Sequence, residues 1–209
     1  MPRLLSIPPI QYKKVKGYGG RLETSIGYIK DKHNNYYKAR CETMVFDDQN
    51  RLFLLKVDKP WKYEIPGGTV ELNTEESNDI PSVLSVCKRI ADLETQEEAN
   101  IVVKNTEYSC FYRHYTYDET GNKSWKDWLK KAGLDVIGDI SIIFTGIYDY
   151  NYTNIIEKED IYEDMKKNGR FYSFNEVSKL LLPEHKTLWN THIKLNKPKE
   201  PLDEVLELI

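Results

Sequence analysis

Apolar and polar positions alternate in short runs along the first third of the chain, and the runs are broken by Asp- and Asn-rich turns. "TSIGYIK" and "YYKARCETMVF" read as strands joined by "DKHNN". "RLFLLKV" follows a second turn signal, "DDQN", and makes a third strand, so an antiparallel meander is predicted. "DKPWKYEIPGGTVE" comes next as a loop, a short extended piece and a double glycine. The pattern then changes period. Residues 80–99 form the best helix candidate, with Asp79 able to cap the start and Pro81 in the first turn, where its missing N–H costs nothing.

Strand character returns in "IVVKNTEYSCFYRHYTY". "DETGNKSWKDWLKKAG" predicts an inserted helix near 124–132, because Trp125, Trp128 and Leu129 fall at i, i+3, i+4 and Gly133 suits its C-terminal cap. "ISIIFTGIYDY" is a strongly apolar strand, and "GRFYSFNEVSKLLL" a strand followed by a helix opening near Ser173 or Asn175. Residues 1–20 read as irregular, 21–195 as one domain with an insertion over about 118–138, and 196–209 as a linker and a short amphipathic segment. That last piece, "LDEVLELI", packs back on its own domain or forms a homodimer contact. The element order predicts a mixed β-sheet with helices packed on it.

The phase of one acidic cluster changes this picture. "LETQEEANI" places Glu94, Glu97 and Glu98 at the end of the predicted helix. A helix turns about 100° per residue, so with Glu94 at zero, Glu98 lies near 40° and Glu97 near −60°. Ile80, Val83, Cys87, Ile90 and Ile101 fall within about 45° of zero, with Leu84 and Ala91 at roughly 60–80°. The three acids therefore continue the apolar stripe, where a solvated helix end would put them opposite it. Carboxylates turned toward the protein need a compensating cation. Hard divalent ions such as Mg²⁺ prefer such oxygens.

Composition narrows the function classes. The 209 residues are 30% charged and 40% hydrophobic, with a formal net charge of −3, so no global basic field points to nucleic acid. No apolar run approaches the ~18 residues of a membrane span, and the N-terminal "MPRLLSIPPIQYKK" has prolines where a signal peptide has its apolar core. Three cysteines without a C-x-x-C pair predict a reducing, cytoplasmic setting. The four histidines lack zinc-site spacing.

"IPGGTVE" followed by "ETQEEANI" resembles the Nudix hydrolase box, G-x5-E-x7-R-E-U-x-E-E-x-G-U, where U is a bulky aliphatic residue. The approach "RLFLLKVDKPWKYEIPGG" and the late "GRFYSFNEVSKLL" are similar to the segments that flank that box. The resemblance spans roughly residues 24–190 and implies an α/β/α sandwich, with a Nudix-like mixed sheet packed between helices. It also implies hydrolysis of the diphosphate linkage in a nucleoside diphosphate linked to another moiety, with Mg²⁺ or Mn²⁺ as cofactor. Gly68 matches the first box glycine, Glu94 the glutamate of R-E, and Glu97 and Glu98 the E-E pair. Gly68, Glu94, Glu97 and Glu98 are thereby implied as metal ligands, with a base among the glutamates.

The chain departs from the box at three places. Leu93 stands where the box has arginine, which in the family supports the helix by a salt bridge. Thr74 stands at the first box glutamate, with Glu75 and Glu76 beside it and an insertion before Glu94. Asn100 replaces the final glycine, a mild change because asparagine also accepts a left-handed helix cap. A further acid from a later loop is Glu157, with Glu159 and Asp160 near it; a solvated acidic loop is the alternative. Gly67, Gly68, Trp61 and Glu71 are candidates for contact with substrate, though Trp61 also suits core packing and Glu71 a polar strand position. The expected partner is a nucleotide-type small molecule, with nothing pointing specifically to capped RNA or to a membrane. A catalytically impaired nucleotide-binding or regulatory module of the same fold is the alternative reading.

Overall fold

The computed structural model describes residues 9–16, 23–56, 63–72, 82–114, 123–150 and 169–181. Its elements are β1 (Gln11–Val15), β2 (Thr24–Lys30), β3 (Tyr36–Phe46), β4 (Leu52–Lys56), β5 (Tyr63–Glu64), β6 (Gly67–Thr69) and β7 (Glu71–Leu72). They continue with α1 (Val83–Ala99), β8 (Val103–His114), α2 (Lys123–Lys131), β9 (Val136–Tyr148), β10 (Gly169–Tyr172) and α3 (Phe174–Leu180).

Two local devices fold the meander. In each tight turn an aspartate gathers the backbone of the residues after it. Asp31 accepts from the amides of His33 and Asn35, and Asp47 from those of Gln49 and Arg51. The fourth turn residue, Asn34 or Asn50, takes a left-handed φ of 65° or 56°, which asparagine adopts more readily than most side chains. The predicted antiparallel order of β2, β3 and β4 follows.

Strand β3 is the spine of the sheet. Along one edge it pairs antiparallel with β2, β6 and β4 in turn. Along the other it pairs in parallel with β9 from Tyr36↔Val136 to Phe46↔Ile147. Strand β8 adds antiparallel beyond β9, and β10 pairs with β4. Parallel and antiparallel neighbours make this a mixed sheet.

Helices cover both of its faces. Ala39, Cys41, Ile140, Ile142 and Phe144 point to one face and pack with Val86, Cys87, Ile90 and Ala91 of α1. On the opposite face Leu129 of α2 packs with Val15, Ile26, Leu134 and Val136, while Val177 of α3 packs with Met44, Leu52, Leu54 and Ile143. This alternation follows from the two-residue period of strands buried on both sides. The predicted sandwich of helix, mixed sheet and helix is the observed architecture. Among the described residues no helix is long and apolar enough to cross a membrane.

Three details correct the expectations. The segment read as irregular contains β1, which pairs with β2 from Gln11↔Tyr28 to Val15↔Thr24. Its lysines hid the strand, because only Val15 on it is fully buried. Helix α1 opens at Val83 with Ser82 as its cap, the Ser82 hydroxyl accepting from the Ser85 amide, whereas Asp79, Ile80 and Pro81 lie outside the described residues. Leu84, counted on the margin of the buried stripe, is 50% exposed.

Other features match. Asn100 ends α1 in the left-handed conformation, with φ 54° and its amide on the Gln96 carbonyl. Gly133 ends α2 at φ +81°, and the amides of Gly133 and Leu134 satisfy the carbonyls of Lys130 and Leu129. Helix α3 opens at Ser173, whose amide and hydroxyl both donate to Glu176.

Candidate functional site

Helix α1 is pinned to the sheet near its middle. The Ala91 carbonyl accepts from the hydroxyl of Thr43 on β3 at 3.2 Å and from that of Thr95, one turn on, at 2.7 Å. All three groups are buried, so these bonds fix both the height and the rotation of the helix against β3. The rotation directs the acids of its last two turns toward the short strand β6.

Strand β6 lies against the centre of β3, with Gly67 opposite Glu42 and Gly68 opposite Cys41. Close approach requires glycine at 67, and at 68 it makes room for a carboxylate. A β-carbon at Gly67 would overlap the Cys41 carbonyl and the Glu42 side chain. One at Gly68 would overlap the Glu94 carboxylate. Glu98, one turn beyond Glu94, accepts a hydrogen bond from the Gly67 amide at 2.9 Å. The double glycine and two of the three predicted acids thus meet at one place. Glu97 is half-buried beside them.

The electrostatics of this cluster are unbalanced. Burial, followed by the charge of Glu97, raises the Glu94 carboxyl to about 7, against a downward pull from Arg40, and Glu71 on β7 pushes it further up. Burial raises Glu98 to about 8, although the Gly67 amide and Arg40 both pull it down; Glu94 and Glu64 add to the rise. Among the described residues, Glu97 and Glu71 act on Glu94, Glu94 and Glu64 act on Glu98, and the Arg40 guanidinium acts on both.

That guanidinium belongs to a polar strip that sequence reasoning missed. Lys38, Arg40 and Glu42 alternate along β3 and share a face with Asp139 and Ser141 of β9, which stand opposite Lys38 and Arg40. The Lys38 ammonium lies 3.6 Å from Asp139, their side chains only 4% and 5% exposed. Arg40 lies 3.4 Å from Glu42 and 3.9 Å from Asp139, and it donates to the Gly67 carbonyl at 3.2 Å. Ser141 donates to Glu42 at 2.9 Å. Burial would lower Arg40, but Glu42, Asp139, Glu64 and Glu98 outweigh it and hold the guanidinium above its usual value. The only signal available in the sequence was the charge at every second position of "YYKARCETMVF", which by itself reads as a solvated face.

The remaining predicted residues fall as follows. Glu71 lies on β7, close enough to act electrostatically on Glu94 and on Lys38. Trp61, Glu75, Glu76, Glu157, Glu159 and Asp160 lie outside the described residues. Leu93 is 39% exposed and turned outward, lining a groove with Lys88, Arg89 and Gln96. Among the described residues no three His, Cys, Asp or Glu side chains are gathered closely enough to cage a metal by themselves. Glu94 and Glu98 nonetheless fit a hard divalent cation in kind. They are oxygen donors with mutual repulsion to relieve, beside a glycine whose missing side chain leaves room for the Glu94 carboxylate.

No family model matches the sequence, and no curated protein matches it either. Among solved structures the chain is similar to a mutant of the Bacillus subtilis pyrophosphohydrolase BsRppH, at 14% identity and a TM-score of 0.47, over 81% of this chain and 95% of that one. It is similar to the NUDIX domain of Shewanella oneidensis NrtR, complexed with ADP ribose, at 12% identity and a TM-score of 0.48, over 77% and 88%. It is also similar to the MutT protein of Methanosarcina mazei Go1, at 14% identity and a TM-score of 0.47, over 77% and 96%. A pyrophosphohydrolase, a NUDIX domain and a MutT protein are thus among the structures that the chain resembles.

Proposed function

We propose that the chain is a divalent-metal-dependent hydrolase of Nudix type, a pyrophosphatase cleaving the diphosphate linkage of a nucleoside diphosphate joined to another moiety. One observation carries the reading: Glu94 and Glu98, on successive turns of α1, converge on Gly67–Gly68, with Glu98 bound to the Gly67 amide. That arrangement needs the phase of the acids, the double glycine and the pinning of α1 together. A surface role for the glutamates requires none of them.

Glu94 and Glu98 would hold Mg²⁺ or Mn²⁺, with the Gly68 backbone and Glu97 completing the set. A divalent cation held by these residues would supply neutralising charge for the diphosphate and a more acidic water. The chain's own residues supply the rest. Gly68 keeps the approach to Glu94 open. Burial raises both carboxyls in the metal-free chain, and a bound cation would draw them to the ionised form that a metal ligand needs. Glu157 stays the candidate for a further acid, and Trp61 and Glu71 for substrate contact.

A second reading, a nucleotide-binding or regulatory module without turnover, is favoured by Leu93, which faces outward where the resemblance has an arginine. A panel of nucleotide sugars, ADP-ribose, dinucleoside polyphosphates, NAD and capped RNA with Mg²⁺ or Mn²⁺ separates the two. Turnover by the parent chain that disappears in Glu94→Gln plus Glu98→Gln supports the enzyme. Ligand binding without turnover supports the module. Full turnover in the double variant rules out the mechanism.

A further inference from the structure

The acid cluster requires something to hold it together before any ion arrives. Glu94, Glu97 and Glu98 repel one another, and an arginine at position 93 is missing. Leu93 cannot substitute, since it carries no charge and lies 39% exposed on the outer groove. Position 40 supplies what position 93 lacks, from a different element.

We infer that Arg40 is the positioning residue of this site, clamping the Gly67–Gly68 strand to β3 so that the Gly67 amide meets Glu98. The clamp is built in two halves. On one side the guanidinium is anchored by Glu42 at 3.4 Å and Asp139 at 3.9 Å, themselves buried and tied to Ser141 and Lys38. On the other it donates to the Gly67 carbonyl at 3.2 Å. The same glycine presents its amide to Glu98 at 2.9 Å. One residue of backbone thus links the guanidinium to the carboxylate, carbonyl on one side and amide on the other. Backbone bonds fasten β6 to β3 at its two ends, from the Thr43 amide to the Pro66 carbonyl and from the Val70 amide to the Ala39 carbonyl, and the clamp acts on the glycine between them. A planar guanidinium suits the task because it can face an acid with one edge and a carbonyl with another, which a lysine ammonium does less well.

The inference rests on the metal-site reading only for its consequence, because the clamp itself exists in the metal-free chain. Amide hydrogen exchange by NMR on that chain is the test. In Arg40→Gln the Gly67 amide should exchange about tenfold faster, while Ile140 and Ile142 in the sheet core keep the parent's protection. Arg40→Lys should restore part of the protection. Unchanged Gly67 protection in a folded Arg40→Gln overturns the assignment, and so does a uniform loss across the sheet, which marks Arg40 as a fold residue. If Arg40→Gln does not fold, the parent decides. A through-hydrogen-bond coupling between the Arg40 Nη and the Gly67 carbonyl supports the clamp, and a freely rotating guanidinium overturns it. Mn²⁺ titration of the parent, read by broadening of the Glu94 and Glu98 signals, judges the metal reading separately. Without broadening there, the metal site fails while Gly67 exchange still decides Arg40. With broadening, Mn²⁺ affinity should fall about tenfold in Arg40→Gln, as for loss of a residue that orients metal ligands.

Discussion

Glu98 and Gly67 lie 31 positions apart in the chain and share a hydrogen bond of 2.9 Å. The bond closes the loop between strand β6 and the end of helix α1, and the Gly67 amide pulls the half-buried Glu98 toward its ionised form, against burial. It also fixes which face of the helix meets the double glycine. The consequences can be measured one residue at a time.

Gly68→Ala tests the close approach. The added methyl would overlap the Glu94 carboxylate, so Glu94 must swing away. Divalent-ion affinity and hydrolysis should fall about 10–100-fold, with the melting temperature moved much less. Calorimetric titration with Mn²⁺ beside a thermal melt checks both halves.

The raised carboxyls predict a pH-dependent stability in the metal-free chain. Glu98, at about 8, and Glu94, at about 7, both stand above the ordinary value of 4.5. The folded state therefore holds more protons than the unfolded one between those limits, and its stability declines as pH rises across that window. Their contribution is complete below about pH 4.5 and is lost once pH passes their folded values. Urea denaturation along a pH series should show this slope, and Glu98→Gln should flatten it. A parent chain steeper in the opposite sense would contradict the burial of these acids.

The Lys38–Asp139 pair predicts a large cost elsewhere. Both side chains are almost fully buried, and burial already pushes the Lys38 ammonium down against the support of Asp139. Asp139→Ala removes its charge from beside both Lys38 and Arg40 and should destabilise the fold by about 3–5 kcal/mol. Lys38→Met with Asp139→Leu, which removes both charges together, should recover much of the loss. Chemical denaturation of the three proteins decides it.

Leu93→Arg restores the residue that the resemblance leads one to expect. Its exposed position means that the substitution should change stability by no more than about 0.5 kcal/mol. A melt showing a larger gain would mean that the new arginine reaches an acid of the cluster.

Much of this arrangement was legible in the chain, for physical reasons that differ by element. The strands β2, β3, β4 and β9 announce themselves by β-branched and aromatic residues between Asp–Asn turns, a local signal. The acids of α1 were legible by phase, because Cys87 and Ile90 set the buried direction and the helix carries it forward to Glu94 and Glu98. What escaped depends on distant pairing. Strand β1 carries lysines and becomes a strand only because β2 offers an edge. Lys38, Arg40 and Glu42 read as solvated until β9 brings Asp139 and Ser141 alongside them. The cap at Ser82 was missed because Asp79 caps a helix about as well as serine and Pro81 suits a first turn, so the sequence offers an earlier start of equal local merit.

The parallel pairing of β3 with β9 sets an order of assembly. Glu42 and the Ser141 that bonds it are separated by 99 positions. During synthesis β3 leaves the ribosome with one edge bare, and no segment made before residue 136 fills it with β9. Until then Arg40 lacks Asp139, and Glu42 lacks Ser141. Long-range parallel pairing of this kind is slow because the intervening chain must be closed first. The strip that steadies the acid cluster is therefore completed late, after the helix bearing the acids has already been made. A fragment ending before β9 would carry every residue of the double glycine and all three glutamates, and still lack the Asp139 and Ser141 that anchor Arg40 and Glu42.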